Sequence, residues 1–194
     1  MHYIRVALSI LFVLLVFSIS NAESPRLALY LVELDNAIEP GTDGENAREY
    51  IDFYFKLDHA YVLEHGRIIG EPIFTDADII EYHWNNHHII LSKEAAARYP
   101  YWKEIPLVGQ PAMMVVDGSP CYSVMLWNMC SSFGSYLPHM SHFDMDMIIE
   151  GQQYTTIQKL MLSRGCCFQD RQAQDVRLDE RVKAVMNEQG KLLP

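Results

Sequence analysis

The chain has 194 residues, and 15 Lys+Arg against 25 Asp+Glu give it a formal net charge of −10. That balance excludes a nucleic-acid binder that works by neutralising phosphates, and it disfavours adsorption to anionic lipid. With 49 % hydrophobic and 21 % charged residues, the composition is that of one folded domain able to bury roughly 70 % of its unfolded surface.

Met1 to Arg5 carries a single positive charge. Val6 to Phe17 is apolar apart from Ser9, and the small residues Ser20 and Ala22 follow. This pattern predicts a signal peptide over 1–22, cleaved after Ala22, with 23–194 as a single periplasmic or secreted domain. An uncleaved anchor is the alternative, but the apolar core is short for a span of ~20 residues. No later run approaches that length, so no membrane insertion is expected after cleavage.

In the mature chain, Arg26 to Glu33 alternates Leu27, Leu29 and Leu31 with Ala28, Tyr30 and Val32, which predicts a strand. Asp35 to Glu49 reads as an exposed loop. Ile51, Phe53, Phe55 and Leu57 alternate with Asp52, Tyr54 and Lys56, the pattern of a second strand, while His59 to Gly70 gives no clear pattern. Thr75 precedes Asp76-Ala77-Asp78 as a capped turn. Ile79 to Trp84 and His87 to Leu91 flank Asn85-Asn86, a pair that tolerates positive φ and suits a hairpin turn.

Ser92 is placed to cap Lys93 to Arg98, a helical run that Pro100 stops. Asp117-Gly118 between Pro111–Val116 and Cys121–Trp127 is a hairpin signal. Ser131 to Asp146 reads as irregular; Met147 to Ile149 and Thr156 to Leu162 read as strands. Leu178, Val182, Val185 and Met186 mark one face of a helix that Asp175 or Asp179 starts and Gly190 ends. The class expected is α+β, an antiparallel sheet with helices packed on one face.

The pieces from Glu71 to Trp127 resemble the head subdomain of the first periplasmic domain of SecD/SecF-type export subunits. Thr75-Asp76-Ala77-Asp78-Ile79 resembles its acidic turn. His88 to Ala95 resembles its strand entering a capped helix, and Gly109 to Gly118 with Tyr122-Ser123 resembles its Asp-Gly hairpin; Ile148-Ile149-Glu150-Gly151 fits a later strand. The head-like core covers about 71–190. Small secreted proteins carry such a module without the transporter. The resemblance implies an extracytoplasmic module that contacts a protein or peptide, and it brings no catalytic residues.

All four cysteines follow the predicted cut, and in an oxidising compartment they permit three connectivities. A bridge from Cys121 or Cys130 to Cys166 or Cys167 is the expectation, since an adjacent pair is poorly shaped to bridge itself. Metal chemistry is suggested by His83 and His88, which a hairpin would pair, and by His139, His142 and Asp144. Imidazoles with a carboxylate suit zinc; with the nearby thioethers of Met140, Met145 and Met147 they suit copper. Cys121 or Cys130 beside His139 or His142 is a further candidate, requiring a lowered thiol pKa. The serines Ser132 and Ser135 lack the nucleophile-elbow pattern. Tyr99, Tyr101, Trp102, Trp84 and Trp127 are candidate groove aromatics, and a free strand edge would accept an extended peptide. No catalytic motif is present, so the reading is a non-enzymatic binding module, with a zinc or copper protein as the alternative.

Overall fold

Leu27, Leu29 and Leu31 do alternate into the core, and in the computed structural model they lie on strand β1 (Leu27–Leu34). The structure describes residues 24–35, 37–38, 46–100, 104–128, 130–142, 147–149, 152–154, 159–164 and 175–194. The expected leader 1–22 lies outside them. No described helix is long and apolar enough to cross a membrane.

Helices α1 (Ala47–Phe55) and α2 (His59–His65) follow β1, and β2 (Gly66–Thr75) continues from α2 without a linking residue. After a 3-10 turn, Asp76–Asp78, come β3 (Ile79–His83), β4 (His88–Leu91) and α3 (Lys93–Ala96). Strands β5 (Gln110–Val116), β6 (Ser119–Leu126), β7 (His139–His142), β8 (Met147–Ile149), β9 (Gln152–Tyr154) and β10 (Lys159–Ser163) precede α4 (Glu180–Glu188) and β11 (Leu192–Leu193). Nine of these strands form one sheet in the order β11-β3-β4-β10-β7-β6-β5-β1-β2; β8 and β9 pair separately. The sheet is antiparallel except at β11–β3 and β6–β7. The fold is therefore α+β.

The punctuation read from sequence is realised locally. Asp78 accepts hydrogen bonds from the Thr75 N–H at 2.8 Å and its hydroxyl at 3.0 Å, completing a capping box. Ser92 Oγ accepts from the Ala95 N–H at 3.1 Å, and Asp179 accepts from the Arg181 N–H at 2.9 Å. Asp117 and Gly118 both hold positive φ, 46° and 74°, as a two-residue turn between right-twisted strands demands. The β3–β4 turn differs from the expectation. It closes at His83↔His88 and contains four residues, 84–87, and the positive φ (53°) falls on His87 rather than on Asn85 or Asn86. Asn86 instead accepts a hydrogen bond from the His88 N–H at 3.1 Å.

Residues 51–57 do not form the expected strand. Ala47–Phe55 is helical because the same aromatics also satisfy helical spacing: Tyr50 and Tyr54, four apart, bring their ring centroids to 4.9 Å. Phe53 meets Tyr61 edge-on at 5.8 Å, tying α1 to α2.

The helices flank both faces of the sheet rather than one. On the first face, Leu27, Leu29, Tyr82, Ile89, Met114, Tyr122, Leu126 and Leu160 pack with Ala95 of α3 and with Val182, Val185 and Met186 of α4. On the opposite face, Val32, Leu34, Met113, Val115 and Met125 pack with Val62 of α2 and with Leu57. The apolar run 111–116 explains this, since a strand covered on both sides has no solvent side to alternate with.

Candidate functional site

Strand register extends the hairpin pair into a row of side chains that no local motif announces in full. His83 pairs with His88, His88 with Met161, and Met161 with Ser141. Directly opposed residues share a face, with Cβ atoms about 5 Å apart. The adjacent row, Tyr82, Ile89 and Leu160, is fully buried in the first core. The histidine row therefore lies on the other side of the sheet, with Met161 and His88 half-buried.

One step along the same face stand Glu81 and Lys159, both opposed to Ile90. A Glu81 carboxylate oxygen lies 3.0 Å from His83 Nε2. Burial, helped by the neighbouring Lys159, His83 and His87 charges, pushes the His88 pKa down to about 4, so the ring is neutral at pH 7. Lys159 is buried, and desolvation lowers its pKa as well.

The remaining metal candidates do not join this row. His139 sits on β7, three strands from His83 and so about 14 Å away. Its ring stacks on Trp127, with centroids 3.9 Å apart and planes 5° from parallel. Among the described residues its Nε2 has no hydrogen-bond partner, and burial pushes its pKa down to about 4. His142 closes β7 opposite Leu160, but its side chain, like Asp144, Met145 and the side chain of Met147, is outside the description. Among the described residues no group of three or more His, Cys, Asp or Glu is placed to hold a metal. The nitrogen–carboxylate set that zinc would want is thus not gathered there.

Cys121 is buried and Cys130 exposed, and both are free thiols. Neither is bridged, so among the described residues the expected disulfide finds no support. Cys166 and Cys167, the other half of that expectation, lie outside them. Cys121 does not meet the requirement for a nucleophile: burial first, then the Asp179 carboxylate, pushes its thiol up to about 12. At pH 8, iodoacetamide is therefore expected to label Cys130 within minutes and to leave Cys121 unlabelled until denaturant is added. Peptide mapping by mass spectrometry reads this directly; equal labelling of the two in the native state would contradict it.

Ser135 is buried and accepts the Leu137 N–H at 3.0 Å, a turn role. Ser123 and His59, which no sequence motif links, meet in space: the Ser123 N–H donates to His59 Nδ1 at 3.1 Å, and Ser123 Oγ lies 3.3 Å from the same nitrogen. Ser123 is 0 % exposed, so this pair ties α2 to β6 and offers no open hydroxyl.

The aromatics do not form one groove. Tyr99 is buried with its hydroxyl donating to the Met140 carbonyl, Trp84 packs on the first core beneath Lys183, and Trp127 packs on the second. Tyr101 and Trp102 are outside the described residues. The long edge strand β2 is poorly suited to receive a peptide. It is broken by a bulge with Gly70 at φ 65°, carries Pro72 without an N–H, and places Arg67 against Glu33. Comparison with known proteins finds no matching family model, no similar curated protein and no similar solved structure.

Proposed function

We propose that the chain is a non-enzymatic binding module working outside the cytoplasm. The observation that carries this reading is the half-buried row His83–His88–Met161, with Glu81 and Lys159 beside it, on a sheet face turned away from the main core. These side chains are recognition chemistry: two imidazoles, a thioether, a carboxylate and an amine, and the hydroxyl in line with them, that of Ser141 opposite Met161, is buried. The two arrangements closest to a nucleophile, Cys121 beside Asp179 and Ser123 beside His59, are buried, and the Cys121 thiol is raised rather than lowered. The likeness of residues 75–79, 88–95 and 109–118 to the head of export subunits agrees with a contact role, as does the leader-like segment 1–22.

The test is a crosslinking capture from the extracytoplasmic fraction with the wild-type chain and a His83→Ala/His88→Ala variant. A partner or ligand retained by the first and lost by the second supports the reading. A blank across several pH and salt conditions, or turnover of a substrate that depends on His88, overturns it.

A further inference from the structure

We propose that His83, His88 and Met161 together bind one copper(I) ion, which names the ligand of the binding module and rests on that reading. His88 stands between the other two on adjacent strands, with Cβ atoms about 5 Å from each neighbour. The spacing suits side chains that converge on a shared ion above the central strand.

The donor set selects the metal. A thioether with two imidazoles is soft, which suits copper(I), whereas a hard carboxylate and carbonyl set would suit magnesium or calcium. Charge points the same way. Lys159 lies on the same face, two residues from Met161, and its ammonium opposes a divalent cation twice as strongly as a monovalent one. Glu81 faces His83 from the other side and offsets part of that repulsion.

Glu81 also supplies the outer contact that metal-bound histidines commonly have. With a carboxylate 3.0 Å from Nε2, the His83 proton is held on that nitrogen and Nδ1 is left as the lone-pair donor. Glu81 is therefore a positioning residue. The row remains reachable: the His83 side chain is 16 % exposed and Met161 only half-buried.

The experiment is an anaerobic titration of the full chain with copper(I) against a chromophoric competing chelator, after alkylation of accessible thiols. In parallel, silver(I) is added to protein carrying 13C-methyl methionine. One equivalent of copper(I) is expected to bind. The Met161 methyl resonance, identified by its loss in Met161→Leu, should shift with silver. Met161→Leu should weaken copper(I) about 10-fold, His88→Gln at least 100-fold, and Glu81→Gln about 10-fold, each with an unchanged circular dichroism spectrum. Zinc(II) should bind at least 100-fold more weakly than copper(I).

Wild-type protein that fails to compete with the chelator overturns the copper site. So does equal affinity in a His88→Gln/Met161→Leu double variant, which would place the copper elsewhere. If the crosslinking capture still succeeds in either case, the binding-module reading survives while the copper assignment falls; if capture fails too, both fall.

Discussion

Gly66→Ala is expected to lower the free energy of unfolding by about 3 kcal/mol, the upper range for forcing atoms into a filled site. Gly66 is where α2 becomes β2 with no intervening loop, and its N–H caps the helix by donating to the Val62 carbonyl. A β-carbon there would stand 2.4 Å from that same carbonyl oxygen and 2.6 Å from Val32 Cγ1. The oxygen belongs to the backbone, so relief requires the helix to withdraw from the strand and to drag Val62 out of the second core. Gly70→Ala is the control. Its φ of +65° penalises a side chain, but nothing lies within 4 Å, so the cost is that of the left-handed backbone alone, roughly 1–2 kcal/mol. Urea denaturation of the two variants gives the comparison. A Gly66→Ala protein within 0.5 kcal/mol of wild type, by the ordinary scatter of surface substitutions, would show that the helix–strand junction is loose.

The second large effect is on acid stability. His139 in the folded chain is held near pKa 4 by burial, against its ordinary 6.5 in an unfolded chain. The unfolded state therefore takes up a proton first as the pH falls. Stability present at pH 7 is lost between about pH 6.5 and 4, by about 3 kcal/mol from this residue. His139→Phe keeps a flat ring over Trp127 while removing the ionisable nitrogens, and it should make the decline over that window shallower, leaving the share contributed by His88, which burial also holds near 4. Below it, Asp179, held down to about 2 chiefly by the Arg181 hydrogen bond, and Asp175, lowered by Arg177, lose their contributions as they protonate. That second decline should persist in the variant. Identical pH profiles for the two proteins between 7 and 4 would remove His139 as the cause.

Features of the fold governed by neighbours in sequence are legible in the sequence alone. The Thr75 and Ser92 caps, the Asp117-Gly118 turn and the Asp179-led helix each depend on fewer than six consecutive residues, and each forms where its chemistry requires. What failed depends on the rest of the molecule. The segment 47–55 fits either period, and its packing, with Phe53 on Tyr61 and Phe53 and Tyr54 against the second core, selects the helix. Strand β7 reads His-Met-Ser-His, with no polarity pattern of its own; its neighbours β10 and β6 make it a strand. The same division holds at the site. The pairing of His83 with His88 followed from the turn between them, whereas Met161 joins them through a strand some seventy positions later. Register across a sheet is the signal, and a single sequence does not display it.

The strand order also dictates a schedule. Within the nine-stranded sheet, two pairings, β3 with β4 and β5 with β6, close across short turns and can form in microseconds. β1 must wait for β5, and β4 keeps one margin bare until residues 159–163 slot in between it and β7. Until that insertion, Ile89 and Leu91 sit on a ribbon with unsatisfied amides along one side, the kind of surface that recruits strangers. Refolding should accordingly end in a slow, topology-limited phase, and the half-made molecule is the form most in need of a chaperone.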